Sequence, residues 1–255
     1  MGPRMPGWIR VAPVLALLGL GACATAAGRD AGVRSPDTAS RLRVAAAAES
    51  SGHVDVALSM YAAVAAAAPG DAEVQARYAG ALGRSGQVDE AGQVLHAALQ
   101  RQPNNERLLT AFGQTRIQAG AAAEALVAFD QALAVAPRNA AALNGKGIAL
   151  DLLGRHADAQ QSYRTALVLD PANIAATNNQ AVSLLLSGQP QQAAELLAPL
   201  RWRRNAPERV LVNLGIATAA SGDKRVARDI LADRIDSEDL GHLTDALGAG
   251  ARTSR

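Results

Sequence analysis

The chain has 255 residues, with 25 lysines and arginines against 23 aspartates and glutamates, and only 3% of its residues are aromatic. Arg4 and Arg10 lie in the N-terminal segment, and without them the remaining 23 basic residues balance the 23 acidic ones. The formal net charge of +2 is therefore no evidence for nucleic-acid binding, which requires a basic face, and we expect no nucleic-acid partner.

The first 22 residues have the pattern of a secretory signal. Residues 1–10 carry the two arginines and no acid, and residues 11–20 form an apolar run. That run is too short for a membrane-spanning helix, which needs about 20 residues. It matches the apolar region of a signal peptide, which the sequence therefore predicts at residues 1–22.

The residues Leu20-Gly21-Ala22-Cys23 resemble the bacterial lipobox, in which an aliphatic and two small residues precede a cysteine. Cys23 is the only cysteine in the chain, so it has no partner for an intrachain disulfide. The resemblance implies that Cys23 carries a diacylglycerol on its sulfur and an acylated amine after cleavage. Ala24 stands where an aspartate would favour the inner membrane, so the resemblance implies anchoring in the outer membrane, facing the periplasm. The alternatives are an ordinary signal peptide with an incidental cysteine and a buried structural cysteine.

Residues 23–37 are small and polar, with Gly28, Gly32 and Pro36 among them. This composition predicts a flexible lipid tether, with a root-mean-square span of about 20 Å as a random coil.

From residue 38 onward the chain repeats itself every 34 residues. The frame of Gly154, Ala159, Tyr163, Ala166 and Pro171 recurs one period earlier as Gly120, Ala125, Phe129, Ala132 and Pro137. A constant period of this length indicates a repeat array. We number positions 1 to 34 within each unit, and the six predicted repeats are 38–71, 72–105, 106–139, 140–173, 174–207 and 208–235.

Each repeat has the pattern of two amphipathic helices joined by a turn. A small residue at position 8 and an alanine at position 20 predict that the two helix backbones approach closely. An aspartate or asparagine at position 34 predicts an N-cap for the next repeat, and a proline at position 32 predicts the end of the preceding helix. Repeat 1 has a weak pattern for its first helix, and Pro199 predicts a kink or an early end in the second helix of repeat 5.

These residues resemble the tetratricopeptide repeat (TPR), and the resemblance covers residues 38–235. It implies an all-α fold, a superhelical solenoid of about six 34-residue helix-turn-helix repeats, in which each repeat buries its apolar face on its neighbours.

In the TPR family, side chains at positions 2, 5, 6, 9, 12 and 13 line a concave groove that binds peptides or partner helices. The resemblance therefore implies these peptide-groove candidates: Arg107, Thr110, Gln114, Asn144, Asp151, Asn178, Asn179, Arg209 and Asn213. Asparagine amides can pair with a peptide backbone of any sequence, and Asn179 and Asn213 at equivalent positions suggest a short ladder. The alternative is that these amides bind water or bond across helices. The lysine-rich clamp that some TPR proteins use for C-terminal carboxylates is missing.

The sequence has no pattern that indicates catalysis. The four histidines share no metal-ligand spacing, and His53 and His156 are expected on the solvated surface near the start of second helices. We find no glycine-rich phosphate loop, GxSxG or HExxH motif. We therefore expect no enzymatic activity, no cofactor and no metal, although a hydrolase regulator with a cryptic site stays as an alternative.

Two segments after repeat 4 stand out. Residues 201–204, Arg-Trp-Arg-Arg, form the one basic cluster, which is compatible with an interface anchor, with contact to anionic headgroups, or with a solvated turn whose Trp202 packs on the next repeat. Residues 236–255 begin acidic and predict a short capping helix followed by a disordered tail.

The lipobox, the single-solenoid length and two late stretches resemble the TPR lipoproteins of the tight-adherence (Tad/Flp) pilus system, the TadD family. The stretches are Asn178–Val182 through Ser187–Pro190, and Val212–Gly215 through Ser221–Asp223. The resemblance implies a scaffold that helps to assemble or localise the outer-membrane secretin of a pilus machine, with the secretin or another pilus component as protein partner. The alternative is a TPR lipoprotein adaptor for peptidoglycan enzymes or for another envelope secretion or biofilm system.

Overall fold

The computed structural model describes residues 37–232 and 234. The expected signal peptide, the lipidated Cys23, the tether up to residue 36, and the capping helix and tail at 236–255 lie outside the described residues. In the described part every regular element is helical. The α-helices are α1 (Thr38–Ser50), α2 (Val54–Ala67), α3 (Ala72–Arg84), α4 (Val88–Arg101), α5 (Glu106–Gln118), α6 (Ala122–Val135), α7 (Ala140–Leu152), α8 (His156–Leu169), α9 (Ile174–Leu186), α10 (Pro190–Leu197), α11 (Glu208–Ala220) and α12 (Lys224–Leu231).

The helices pack as six consecutive pairs, one pair in each 34-residue unit. Each first helix contacts the second helix of its own repeat, and each second helix contacts the first helix of the next repeat. The first helices from α3 to α11 also contact one another in succession. This arrangement confirms the predicted fold class, an all-α solenoid of helix-turn-helix repeats. The first helix of repeat 1 spans 13 residues despite its weak pattern.

The ends of the helices follow the predicted punctuation. Asp71, Asn105, Asn139 and Asn173 cap α3, α5, α7 and α9, because each side-chain oxygen accepts from a free backbone N–H in the first turn. The prolines at position 32 follow the ends of α2, α4, α6 and α8 by two residues. Inside each repeat the two helices are joined through a glycine at position 15 with positive φ, such as Gly154 at +73°.

The small residues at positions 8 and 20 were both predicted to let two helix backbones approach closely, and position 8 differs from that prediction. The alanines at position 20 are buried in all six repeats. At position 8, however, the small residue makes room for a side chain rather than for a helix backbone. A Cβ on Gly147 would lie 2.4 Å from the ring of Tyr163, and one on Gly113 would lie 2.8 Å from the ring of Phe129. The residue at position 24 of the second helix therefore fills the space above position 8.

Repeat 5 departs from the frame where the sequence predicted it. Helix α10 ends at Leu197 after eight residues, and Ala198–Trp202 form a 3₁₀ turn that contains Pro199. The early end is confirmed, and its cause is that proline removes a backbone donor and clashes with the preceding turn of an α-helix. Leu200 of this 3₁₀ turn is buried, so the shortened element still contributes to the core.

Candidate functional site

A groove of about 620 Å³ runs along the first helices of repeats 1 to 3 and reaches the start of α7. Its floor consists of small residues, which leaves space for a bound chain: Ala46, Ala76, Gly80, Ala111 and Ala141. Three of the predicted groove residues, Arg107, Thr110 and Gln114, line it. The groove therefore lies on the surface that the repeat register assigned to recognition.

Arginine–glutamate pairs form the walls of this groove. Arg84 donates from Nε and an Nη to both carboxylate oxygens of Glu49, at 2.5 and 3.0 Å. These hydrogen bonds, aided by the charge of the guanidinium, hold the pKa of Glu49 below its usual range. Glu73 bridges Arg77 and Arg107 from neighbouring repeats. Both carboxylates are less exposed than the arginines that they bind, so a partner in the groove meets guanidinium groups already fixed in place.

The three predicted residues in the groove are not equally accessible. Arg107 and Gln114 are exposed, whereas Thr110 is buried and donates its hydroxyl to the carbonyl of Glu106 at 2.7 Å. Asn139, the cap of α7, donates to Glu106 Oε2 at 2.7 Å and so ties the start of α7 to α5. Arg107 and Gln114 are therefore available to a ligand, and Thr110 supports the local backbone.

The four predicted asparagines form two pairs between neighbouring first helices. Asn179 donates to Asn144 Oδ1 at 3.0 Å, and Asn213 donates to Asn178 Oδ1 at 2.8 Å. Each of the two residues expected to form a ladder pairs with an asparagine of the preceding repeat instead of with the other. This is the bond across helices that the sequence left open as the alternative. The amide of Asn178 is buried, while the other three amides are partly accessible.

Asp151, also predicted for the groove, lies at the centre of a polar cluster inside the solenoid. Its Oδ2 accepts from the hydroxyl of Tyr163 at 2.9 Å. Its Oδ1 accepts from Ser183 Oγ at 2.7 Å and lies 2.8 Å from His156 Nδ1. Since a carboxylate only accepts, this ring nitrogen is the donor. His156 is therefore partly buried in this cluster, and the expectation that it sits on the solvated surface is wrong. His53 is exposed as expected.

The basic cluster near Pro199 is partly neutralised. Arg201 donates to Asp229 of α12 at 2.5 Å, and its guanidinium lies 5.0 Å from the centroid of the Trp202 ring. Trp202 is 81% exposed, so it does not pack on the next repeat as one sequence interpretation proposed. Arg209 of α11 is exposed.

Four further residues line the groove in repeats 1 and 2 and were not predicted from the sequence: Glu49, Glu73, Arg77 and Arg84. A signal was present, because these residues occupy positions 12, 2, 6 and 13, all of which face the groove in the family.

Two further findings concern residues 37–232 and 234 only. Within that range no helix is long and apolar enough to cross a membrane, and no three His, Asp or Glu side chains gather in a way that would hold a metal ion.

The fold and the groove define a helical-repeat scaffold that binds other proteins. Two family models match, both described as tetratricopeptide repeat, over residues 48–114 and 110–174. The chain belongs to the tetratricopeptide-repeat proteins, whose fold is generally a non-catalytic scaffold for protein–protein interaction. A search of curated protein sequences found no match.

Solved structures share the fold at low sequence identity. A tetratricopeptide repeat protein from Parabacteroides merdae is 16% identical with a TM-score of 0.63, and the alignment covers 87% of this chain and 88% of that one. PilW, described as a widely conserved type IV pilus biogenesis factor, is 19% identical with a TM-score of 0.67, covering 77% and 91%. PilF from Pseudomonas aeruginosa is 16% identical with a TM-score of 0.62, covering 86% and 97%. At these identities the likeness shows the fold alone.

Proposed function

We propose that this protein is a lipid-anchored periplasmic scaffold that assists assembly or localisation of a Tad/Flp pilus secretion machine, in the manner of a pilotin for the outer-membrane secretin. The observation that carries the proposal is the groove over repeats 1 to 4, with its small-residue floor and its walls of positioned arginines. Such a groove is built to hold a segment of another protein chain. The lipobox at Cys23 and the late stretches that resemble TadD supply the envelope and the pilus parts of the proposal.

The groove would bind through groups that folding has already oriented. Arg84 and Arg107 are held by carboxylates beneath them, so little side-chain entropy is lost when a partner binds. Their remaining N–H groups are suited to carboxylates and backbone carbonyls of an extended segment. Acyl chains on Cys23 would hold the complex at the membrane, since two or more chains anchor stably where one is marginal.

The pilus role draws support from one structural neighbour. PilW, which shares this fold, is described as a type IV pilus biogenesis factor. The alternative function is an adaptor for peptidoglycan enzymes or for another envelope secretion or biofilm system. The same groove and lipobox are compatible with this alternative, because neither feature identifies the partner.

Crosslinked affinity capture from the native envelope, read by mass spectrometry, tests the proposal. The groove variant is Arg107→Ala/Gln114→Ala. The matched control is Arg164→Ala/Gln161→Ala, an exposed arginine and glutamine that contact each other on the second helix α8. We expect wild type and control to capture a secretin or another pilus component and the groove variant to lose it. Capture by all three proteins would refute the groove assignment, and capture of peptidoglycan enzymes instead would refute the pilus role.

A further inference from the structure

The turn between repeats 5 and 6, residues 198–207, presents side chains that the groove does not use, and we call it the Trp202 turn. The second helices of repeats 1 to 4 end at position 30, whereas α10 ends at position 24, so this segment leaves the helix six positions early. Within it Leu200 is buried, while Trp202 is 81% exposed. Packing of the solenoid therefore accounts for the leucine and leaves the largest side chain of the turn in water.

Apolar surface continues from the ring of this tryptophan into the solenoid. The ring lies at a recess of about 310 Å³. The apolar lining of the recess comes from four elements: Ala194 of α10, Ala198 of the 3₁₀ turn, Leu214 of α11, and Val226 and Ile230 of α12. None of the lining residues occupies a position that faces the groove in the family. The ring and the recess thus form one apolar patch on a different surface from the groove, and such a patch rimmed by polar residues marks a contact with another molecule or a membrane.

Positive charge surrounds the apolar patch. The Trp202 turn contains three arginines and no acid. Arg201 is paired with Asp229 of α12. Arg203 and Arg204 are exposed, and within residues 37–232 and 234 no carboxylate pairs with either of them. Among the residues that line the recess, Glu195 is the only acid. Two unpaired guanidinium groups therefore outnumber the one remaining carboxylate, and the patch is complementary to an anionic surface.

The Trp202 turn belongs to the edge of the solenoid at which the chain enters the first repeat. In each repeat the two helices form a hairpin, so the first helix begins and the second helix ends at the same edge. Helix α1 begins at Thr38, so the segment that connects the proposed anchor at Cys23 to the repeats joins them at this edge. The turn is thus on the edge that the proposed tether holds toward the membrane.

We propose that the Trp202 turn binds the headgroup region of an anionic phospholipid bilayer, as a second contact of a chain that is already anchored there. Tryptophan favours the membrane–water interface because its ring is apolar and its indole N–H is polar. Each arginine near an anionic surface strengthens binding about fivefold. A second copy of the chain fits the turn less well, since a symmetric contact through Trp202 would bring Arg203 and Arg204 of the two copies together. This inference rests on the proposed lipid anchor, and the contact orients the solenoid on the bilayer.

The test follows the fluorescence of Trp202 on vesicles. The full chain is purified with detergent from the envelope of an expressing bacterium and reconstituted with phosphatidylethanolamine and phosphatidylglycerol. The acyl chains of these lipids are brominated, because bromine quenches a tryptophan that it contacts. All proteins carry Trp8→Phe, which leaves Trp202 as the single tryptophan. Flotation of the vesicles measures anchoring separately from quenching.

Two variants and one change of lipid serve as comparisons. Arg203→Gln/Arg204→Gln removes the two unpaired charges, and Arg225→Gln/Arg228→Gln is the matched control, since it removes two exposed arginines of α12. Vesicles of phosphatidylcholine alone remove the anionic lipid without altering the protein. Circular dichroism verifies that the variants fold.

A further control moves the fluorescent probe to the other edge of the same repeat. It combines Trp202→Phe with Leu186→Trp, because Leu186 at the end of α9 is also exposed. Quenching at this site reports contact of the bilayer with the solenoid at large rather than with the Trp202 turn.

We expect Trp202 to be quenched, and its emission to shift to shorter wavelength, on the anionic vesicles and not on phosphatidylcholine. The equilibrium constant for contact, taken from the quenched fraction, should fall about 25-fold in Arg203→Gln/Arg204→Gln at low salt, since each arginine contributes about fivefold. It should change little in Arg225→Gln/Arg228→Gln, and added salt should weaken it. The probe at the other edge should stay unquenched.

Four results would overturn the proposal. Trp202 that stays unquenched while the chain floats with the vesicles would refute the contact and leave the anchor standing. Equal quenching at both edges, or an equal loss in the two arginine pairs, would show adhesion that is not specific to the turn. A shift in emission without lipid that grows with protein concentration would make a second copy the occupant. If the chain does not float with the vesicles, the anchor falls and the contact falls with it.

Discussion

Tyr163 donates its hydroxyl to Oδ2 of Asp151 at 2.9 Å, joining position 24 of a second helix to position 12 of the first helix in the same repeat. The same pair of positions holds Tyr61 and Glu49 in repeat 1, where the two oxygens are 3.4 Å apart. In the other four repeats position 24 has no hydroxyl, and position 12 has no acid. The pairs there are Leu95 with Gly83, Phe129 with Ile117, Leu197 with Leu185, and Leu231 with Ala219. Within this chain an acid at position 12 thus accompanies a buried phenol.

The relationship predicts a coupling energy between Asp151 and Tyr163. Tyr163→Phe removes one hydrogen bond and should lower the free energy of unfolding by about 1 kcal/mol. Asp151→Ile leaves the hydroxyls of Tyr163 and Ser183 without their acceptor and should cost about 3 kcal/mol. The double variant reproduces the Ile117–Phe129 pair of repeat 3, so it should lose less than the sum of the single changes. Urea unfolding of the four proteins measures this coupling, and strict additivity would contradict it.

The same tyrosine predicts how stability changes at alkaline pH. Burial, with the charge and hydrogen bond of Asp151 in addition, holds the pKa of Tyr163 well above its usual value of about 10. Above about pH 10 the unfolded chain loses a proton that the folded chain keeps. The contribution of Tyr163 to the free energy of unfolding is therefore constant below about pH 10 and falls as the pH rises further. Tyr163→Phe lacks this contribution. Its urea midpoint should therefore fall less steeply than that of the wild type above pH 10, and parallel curves would show that the phenol ionises normally in the folded state.

The packing of Tyr163 against Gly147 predicts the effect of one added methyl group. Gly147→Ala would place a Cβ 2.4 Å from the ring, and since the ring is buried the protein must shift to accommodate it. Overpacking of this kind costs about 1–3 kcal/mol. Gly80→Ala is the control, because the nearest atom to its new Cβ is the end of the Arg84 side chain at 3.3 Å. Alanine also favours the helix by about 0.5–1 kcal/mol, so Gly80→Ala should be neutral or stabilising in thermal denaturation. Equal losses for both would refute the role of position 8.

The repeat register correctly predicted the structural features that depend on a single residue and its own helix. Caps, proline stops and buried alanines each follow from a single position and local backbone chemistry, and all are present in the structure. Apart from the ion pair of Glu73 with Arg107, both at position 2, the bonds between first helices were harder to predict because they do not join equivalent positions. Glu49 bonds to Arg84, Asn144 to Asn179 and Asn178 to Asn213, each pair 35 residues apart. One residue further along a helix is rotated by about 100°, which turns that side chain back toward the preceding helix.

Asp151 shows a second limit of reasoning from the register. A position that faces the groove in the family was assigned to ligand binding, yet its side chain is taken up by Tyr163, Ser183 and His156. The family's pattern of positions predicts the direction of a side chain. Whether that side chain is free to bind a ligand depends on its neighbours from two repeats. The distinction matters for the candidate site, because Arg107 and Gln114 stay exposed while Asp151 and Thr110 are engaged in bonds within the solenoid.

The proposed lipid anchor predicts the behaviour of a single-atom change. Cys23→Ser replaces the sulfur that the lipobox resemblance assigns to the diacylglycerol. We expect the variant to keep the wild-type melting temperature and to move from the membrane fraction to the soluble periplasm on fractionation. Ala24→Ser is the control and should stay in the membrane fraction. A Cys23→Ser protein that still sediments with the membranes would contradict the anchor.

Asn139 predicts a difference between two caps that look alike in the sequence. Its Oδ1 accepts from Ala142 N at 3.0 Å as a cap, and its Nδ2 donates to Glu106 Oε2 at 2.7 Å. Asn139→Asp keeps the cap but sets a carboxylate against Glu106, which should cost about 1–3 kcal/mol at neutral pH. Asn105→Asp is the matched control, because its Nδ2 donates to a neutral amide oxygen, that of Gln102, whose Nε2 in turn donates to the carbonyl of Gly70. Asn105→Asp therefore disturbs neutral hydrogen bonds and sets no carboxylate against another, so we expect urea unfolding to show a larger loss for Asn139→Asp than for Asn105→Asp. An equal loss at both caps would mean that the contact with Glu106 contributes nothing beyond capping.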